Sequence, residues 1–460
     1  MWITVAQFIL SLSILIVLHE LGHFSAAKWF KTRVEKFYLF FNPWFSLFKV
    51  QKGETEYGIG WLPLGGYVKI SGMIDESMDT EQMKGEPQPW EFRSKPAWQR
   101  LIIMIGGVFV NFILGIFLFA VVFWVWGERY LPAENVKEGV AVEEMGYELG
   151  LRDGDKLLKI GDKDFNKFNP GSLNKALIID NVQTLIVERN GSTKTINIDP
   201  KFAKELSKQE NQKVRLFHLK TPTVVGEIDE SSPAKAGEAG LKKDDVIIEV
   251  NGKATPYYFQ GEKELLSSKA DQTQLKIKRG NDTLDISYLS MFPGKQSFVK
   301  KLLGKEAEKK RRIGFVPYGA EHFYDYKTQE YGFVSALGKG WGESVSFLSD
   351  QVSAFGKMFT GQINPKDSLG SFITIGKLFG TDWDWQRFWR MTAMLSILLA
   401  FFNLLPIPAL DGGYVMFLLV ETITGKKVPD KVMEITTMIG FFLLIALMLF
   451  ALGLDISRLF

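Results

Sequence analysis

The sequence predicts a multi-pass α-helical membrane protein with four transmembrane helices, two extracytoplasmic α+β domains and a membrane-associated β-hairpin. Three observations support this class: four long apolar segments, a polar region between the second and third of them, and a repeat inside that region. The 460-residue chain contains no cysteine, which excludes disulfides and thiolate chemistry. Its small net charge of +3 argues against a nucleic-acid partner.

The four apolar segments each approach the length of about 20 residues that crosses a bilayer as a helix. Lysine and arginine concentrate at 28–36, just after the first segment, and such residues mark the cytoplasmic side of a membrane protein. We therefore expect both termini and the polar region 127–390 outside the cytoplasm, with 28–100 and 420–432 inside. The predicted spans are 3–27, 101–126, 391–411 and 433–456.

Residues 37–72 combine an aromatic segment, broken by Asn42-Pro43, with the sequence TEYGIGWLPLGGYVKISG. The second part predicts two short strands that meet at Gly65-Gly66 as a hairpin. This hairpin could be a small cytoplasmic feature, which composition alone slightly favours. Alternatively it reaches membrane depth, where non-helical backbone is tolerated only beside protein or a water-filled cavity.

The polar region contains two similar copies of one unit. LRDGDKLLKIGDK at 151–163 aligns without gaps to LKKDDVIIEVNGK at 241–253, and VVGEIDESSPAKAGEAG precedes the second copy. This pattern resembles a PDZ domain, although the first copy lacks the Ser-Pro-Ala element. We therefore expect membrane helices in 1–126, followed by PDZ-like domains at 127–221 and 222–318.

Apolar residues recur at intervals of three and four over 331–360, which predicts an amphipathic helix. Such a helix either packs on the PDZ-like domains or lies on the membrane surface. We expect the segment 319–387 to form membrane-surface helices, and 388–460 to form the last two spans.

The stretch LIVLHELGHF places His19, Glu20 and His23 inside the first apolar segment. On a helix, two histidines four residues apart share one face and can bind one metal ion, with Glu20 beside them as a base. A hydrolytic zinc site uses three protein ligands and one open position, so one ligand is missing. The alternative is a structural histidine pair, but ionisable groups within a span are usually functional.

The third apolar segment ends in NLLPIPALDGG, from Asn403 to Gly413. Asp411 is the candidate for the missing ligand, because Pro406 and Pro408 would open the helix locally. Taken alone, an aspartate in this position more commonly caps a helix at the membrane interface.

The HExxH motif in the first span and the N-x-x-P-x-P-x-L-D-G motif in the third flank the PDZ-like copies. Together they resemble the site-2 protease family of intramembrane zinc metalloproteases, in particular its RseP-type bacterial members with tandem PDZ domains. The resemblance implies that His19, His23 and Asp411 bind Zn²⁺ and that Glu20 is the general base. It also implies that Asn403 binds the substrate backbone near the scissile bond.

The same resemblance equates the predicted hairpin with the family's membrane-associated β-loop, which adds a strand to an extended substrate. The residues it implicates in substrate binding are Gly65, Gly66, Tyr67, Val68, Lys69 and Ile70. One motif departs from the family pattern, since Val108 replaces a frequent proline in GGVFVNF while Asn111 is retained. We expect a secondary role for Asn111, either in packing or along the substrate path.

The implied function is proteolysis within the transmembrane segment of single-span proteins, such as an anti-sigma factor already trimmed by a first protease, or remnant signal peptides. The implied protein is a monomer in the bacterial inner membrane, with its active site near the cytoplasmic side. Its PDZ-like domains either exclude large substrates or bind substrate termini. The rival functions are a metal transporter, which usually needs more spans and inverted repeats, and an inactive PDZ scaffold, which would not need Glu20.

Overall fold

The computed structural model describes residues 2–63, 65–73, 85–208, 211, 214–293, 309–368 and 371–457. The chain forms two units: residues 1–128 with 330–460, and residues 129–329. The helices are α1 Trp2–Trp29, α2 Ala97–Trp126, α3 Glu144–Leu149, α4 Pro170–Ile178, α5 Lys201–Leu206, α6 Tyr258–Ser267, α7 Phe333–Phe359, α8 Pro365–Ser368, α9 Phe372–Lys377, α10 Trp385–Leu404, α11 Asp411–Thr424 and α12 Asp430–Ser457.

Within the described residues, three helices have the length and apolar composition that a membrane crossing requires: α1, α2 and the part of α12 from Lys431 to Asp455. They correspond to the first, second and fourth predicted spans. The predicted third span corresponds to α10, which carries Arg387 and Arg390 in its first two turns. A fourth crossing therefore stays a prediction.

The helix in the third predicted span, 391–411, opens near its two prolines as predicted, but it ends earlier than the predicted bound. Helix α10 ends at Leu404, residues 405–410 are not helical, and Asp411 begins α11. The break has a local cause, because a proline cannot donate the backbone hydrogen bond that continues a helix, and it disfavours helical geometry in the residue before it. Asn403 and Asp411 consequently lie on different helices.

Helices α1 and α2 cross with their backbones in close contact. A Cβ atom at Gly22 would lie 2.3 Å from the Gly106 carbonyl oxygen, and one at Gly106 would lie 2.7 Å from the Gly22 carbonyl oxygen. Only glycine permits this approach, which brings the HExxH turn of α1 directly against α2.

The first unit also contains a four-stranded sheet in the order β2-β3-β1-β4. Strand β1 pairs in parallel with β3 and antiparallel with β4. The predicted hairpin at Gly65-Gly66 was therefore wrong, because the strands on its two sides are separated by β1, which comes from earlier in the chain. The strand bounds are β1 Val34–Leu39, β2 Phe48–Lys52, β3 Thr55–Ile59 and β4 Tyr67–Ile70.

Helix α7 matches the amphipathic helix predicted over 331–360. It packs on α2 through small residues: Ala336 and Ser344 are fully buried, and a Cβ at Gly340 would lie 2.7 Å from the Ile116 carbonyl oxygen. Large apolar side chains of the predicted stripe are exposed, including Val334 at 80% and Phe359 at 88%. Exposed apolar surface of this extent suits contact with lipid.

The second unit contains the predicted repeat. Strands β7, β8, β9 and β10 with helix α4 recur in the same order as β13, β14, β15 and β16 with helix α6, and each copy has its own apolar core. The remaining bounds are β5 Glu128–Tyr130, β6 Val140–Val142, β7 Lys156–Ile160, β8 Lys163–Asp164, β9 Thr184–Arg189, β10 Ser192–Asn197, β11 Phe217–Leu219, β12 Thr223–Ile228, β13 Val246–Val250, β14 Lys253–Ala254, β15 Gln272–Arg279, β16 Asp282–Leu289, β17 Met291–Pro293, β18 Lys309–Arg311, β19 Phe315–Pro317 and β20 Lys327–Gln329.

An ion pair between a buried aspartate and a partly exposed arginine recurs at the same place in both copies. Arg189 donates two hydrogen bonds of 2.7 Å to Asp155, and Arg279 donates two hydrogen bonds of 2.7 Å to Asp245. Both aspartates are essentially inaccessible, and the hydrogen bonds that the Arg189 guanidinium donates to Asp155 raise its pKa above the ordinary value. Such bidentate pairs fix the geometry of both partners.

We expect Arg189→Met to destabilise the first copy by about 3 kcal/mol, because it leaves the Asp155 carboxylate buried without its cation. Amide hydrogen exchange of peptides from 140–217, measured in the full-length chain, would detect the loss. The matched control is Lys163→Met, whose side chain is 86% exposed and pairs only at the surface with Asp180. Equal protection of these amides from exchange in Arg189→Met and Lys163→Met would contradict a stabilising role for the Arg189–Asp155 pair.

Candidate metal centre

The two histidines of the HExxH motif lie one turn apart on α1, and each is only 7% exposed. Their Nε2 atoms are 3.3 Å apart, and the rings meet edge to face. The Nδ1 atom of His23 lies 2.8 Å from the Ile103 carbonyl oxygen on α2. A proton on Nδ1 satisfies that carbonyl and leaves Nε2 with a free lone pair, which is the form that binds metal.

Asp411 reaches the histidines because the chain turns sharply between α10 and α11. Ala409 adopts a left-handed conformation with a φ of 86°, which is uncommon for a residue with a Cβ. A Cβ at Gly412 would lie 2.2 Å from the Leu405 carbonyl oxygen, so the turn closes only with glycine there. The Oδ2 atom of Asp411 lies 3.3 Å from Nε2 of both His19 and His23.

These three atoms fit a zinc ion. Zinc in proteins is tetrahedral with ligand distances of about 2.0–2.2 Å, for which ligand atoms should be about 3.3–3.6 Å apart. All three separations among His19 Nε2, His23 Nε2 and Asp411 Oδ2 are 3.3 Å. Asp411 Oδ2 is buried and makes no hydrogen bond of acceptable geometry despite these contacts. The arrangement suits three ligand atoms that converge on one cation.

Glu20 follows His19 on α1 and is partly buried beside the three converging atoms. The backbone N–H of Val68, on strand β4, lies against its carboxylate. Strand β4 ends the sheet order among the described strands, so one of its edges has no neighbouring strand there. Glu20 thus lies between the candidate metal position and a strand edge.

Asn403, near the end of α10, places its amide nitrogen 3.2 Å from His19 Nε2. The Asn403 side chain, which the sequence predicted to bind substrate, therefore lies beside the three converging atoms. A substrate carbonyl bound next to these atoms would lie within reach of both the Asn403 amide and the metal ligands.

The predicted substrate-binding residues next to Glu20 lie on or just before β4. Gly66 packs against α1, since a Cβ there would lie 2.5 Å from Ile16. Val68 and Ile70 are buried, Tyr67 donates a hydrogen bond to Asn42, and Lys69 lies 3.8 Å from Glu35. Gly65 packs on the Phe41 ring. The backbone of this strand is therefore the part that could meet an extended ligand along its edge.

Helix α2 contributes three residues to the site, of which the sequence singled out Asn111 and missed Ile103 and Gly107. Asn111 is fully buried with its amide nitrogen 3.1 Å from His19 Nδ1, and Ile103 contacts His23 as described above. Between them, a Cβ at Gly107 would lie 2.3 Å from His23 Nε2 and 2.6 Å from His19 Cε1. The spacing of 103, 107 and 111 puts all three on one helix face, and this periodicity relative to Asn111 is the signal that could have identified Ile103 and Gly107.

Comparison with known proteins gives a match along almost the whole chain. Residues 7–447 match peptidase family M50. The regulator of sigma-E protease RseP of Salmonella typhimurium is 30% identical over 99% of this chain and 98% of its own length, and that of Escherichia coli is 29% identical over the same shares. A Vibrio cholerae protein named as a zinc metalloprotease is 29% identical over 98% of each chain.

Proposed function

The chain belongs to peptidase family M50, and from this premise we propose that His19, His23 and Asp411 bind its zinc ion and that Glu20 is its general base. The observation that carries the assignment is the equal 3.3 Å spacing of the three ligand atoms. The family match confirms three predictions made from the sequence: the site-2 protease resemblance, the metalloprotease activity and the zinc cofactor. The metal-transporter alternative finds no support.

A bound zinc ion would supply an activated water molecule and polarise the scissile carbonyl. Glu20, held by its helix beside the ligands and by the Val68 N–H, would accept the water's proton and pass it to the leaving nitrogen. The Asn403 amide, 3.2 Å from His19 Nε2, would donate a hydrogen bond to the carbonyl oxygen of the substrate.

The substrate class follows from where the site lies. Glu20 and both histidines are in the second half of α1, a helix with a membrane-crossing composition, so we propose that the substrate is the transmembrane segment of a single-span protein. A helix satisfies every backbone hydrogen bond internally, and it must unwind before a peptide bond can react. The edge of β4 that has no neighbouring strand among the described strands offers replacement hydrogen bonds by strand addition.

The relatives named as regulators of sigma-E suggest a physiological substrate. We propose that the chain cleaves an anti-sigma factor already trimmed by a first protease. The two repeated units of 129–329 would be PDZ-like domains that exclude untrimmed substrates. We further propose a monomer with four crossings in the bacterial inner membrane, with both termini and the PDZ-like domains on the extracytoplasmic side.

We expect the purified full-length chain in detergent to cut a single-span test protein inside its apolar segment, as mass spectrometry of the fragments would show. A substrate with a Gly-Pro pair in that segment should be cut at least about tenfold faster than an all-leucine version, because its helix is easier to unwind. The chelator o-phenanthroline should abolish the cleavage, and added Zn²⁺ should restore it.

The control substrate carries the Gly-Pro pair in its soluble tail and an all-leucine apolar segment. Cleavage in the tail, or cleavage that persists in chelator, would overturn the proposed activity. Equal cleavage rates for the Gly-Pro and all-leucine apolar segments would be consistent with a metalloprotease. They would contradict the proposal that the substrate helix must unwind before cleavage.

A further inference from the structure

Both histidines of the candidate metal centre contact α2 through the ring nitrogen that faces away from the converging atoms. For His23 the partner is the Ile103 carbonyl oxygen at 2.8 Å. For His19 it is the Asn111 side-chain amide at 3.1 Å. The two partners are eight residues apart on one face of α2, so a single helix supplies both.

The chemistry of metal binding decides which end of the Asn111 amide faces His19. If His19 binds zinc through Nε2, its Nδ1 carries the proton and needs a hydrogen-bond acceptor. The Asn111 oxygen can accept that bond and the nitrogen cannot, and the two amide ends have nearly the same shape. The amide is therefore oriented in the metal-bound protein with Oδ1 toward His19 Nδ1–H.

The surroundings of Asn111 fit such a dedicated role. The residue is 0% exposed, and Oδ1 is buried without a hydrogen-bond partner when Nδ2 faces His19. Its backbone carbonyl accepts a 2.6 Å hydrogen bond from the Ser396 hydroxyl on α10, which holds this turn of α2 in place. Among the described residues, His19 is the side-chain partner recorded for the amide.

We propose that Asn111 is a positioning residue, whose side-chain oxygen accepts a hydrogen bond from His19 Nδ1–H and so directs Nε2 of the ring at the metal. This inference rests on the proposed zinc site. Hydrogen bonds to the outer nitrogen of a ligating histidine typically change metal affinity by about 10–100-fold. A residue that only filled space between α1 and α2 would not show such an effect when replaced by another of the same size.

The test measures zinc affinity by competition with a chromophoric chelator, using the full-length chain in detergent on a Glu20→Gln background. Asn111→Leu keeps the volume and removes the acceptor, so we expect zinc to bind about 10–100-fold more weakly. Asn111→Asp keeps an acceptor at the same position and should bind zinc within about threefold of the parent. The control Ser344→Ala removes a buried hydroxyl that has no hydrogen-bond partner among the described residues, and it should leave the zinc affinity unchanged.

Equal zinc affinity in Asn111→Leu and the parent would overturn the inference, as would equal losses in Asn111→Leu and Asn111→Asp. If Asn111→Leu does not fold, histidine ¹⁵N NMR of the zinc-loaded parent decides, because the chain has only four histidines. Coordination of His19 through Nε2 with a proton on Nδ1 supports the inference, and coordination through Nδ1 overturns it. A parent chain that binds no zinc would instead contradict the proposed zinc site.

Discussion

Replacing Glu20 with glutamine should lower kcat by about 10²–10⁴-fold while zinc stays bound, because only the proton acceptor is lost. Glutamine has the volume of glutamate, and the zinc ligands proposed here are His19, His23 and Asp411. The Val68 N–H beside Glu20 can still donate a hydrogen bond to the glutamine oxygen, so the position of β4 should not change. Cleavage of the single-span test protein and the zinc content of the purified chain are measured on the same sample.

The matched control for this variant is Glu54→Gln, which removes a carboxylate that is 63% exposed and forms a surface ion pair with Lys28. It should retain both the cleavage rate and the zinc. Full cleavage by Glu20→Gln would show that another group takes the proton. Loss of zinc together with activity would instead assign Glu20 to metal binding.

The sequence predicted those parts of the site that depend on local spacing. A spacing of four residues from His19 to His23 places both rings on one helix face, and the structure brings their Nε2 atoms to 3.3 Å. Asp411 is almost 400 residues away, and no local pattern connected it to the histidines. The assignment of Asp411 as the third metal ligand came from the family resemblance, since the residues alone suggested a helix cap.

Strand pairing could not be predicted because it depends on segments that are distant in sequence. The turn signal at Gly65-Gly66 correctly predicted β4 as a strand, but it predicted the wrong pairing partner for that strand. Strand β1, from Val34 to Leu39, inserts between β3 and β4 and pairs with both. The same limit explains why Gly107 was missed, because its role depends on which face of α2 meets α1.

Gly107→Ala should prevent zinc binding and abolish cleavage in a chain that still folds. The new Cβ would lie 2.3 Å from His23 Nε2, 2.6 Å from His19 Cε1 and 2.8 Å from His19 Nδ1, well inside van der Waals contact. The rings cannot move aside freely, since Ile103 holds His23 and Asn111 holds His19. Any shift that relieves the clash also separates the three atoms whose 3.3 Å spacing fits zinc.

A buried glycine two turns further along α2 provides the comparison. A Cβ at Gly115 would lie 2.4 Å from Ile397 Cδ1, the end of an aliphatic side chain that can change rotamer. Gly115→Ala should therefore cost some stability, measured as a lower melting temperature, and leave the zinc affinity within about twofold of the parent. Zinc binding by Gly107→Ala with the parent's affinity would mean that the histidine rings are not fixed by α2. The proposed geometry of the site, including the role given to Asn111, would then have to be abandoned.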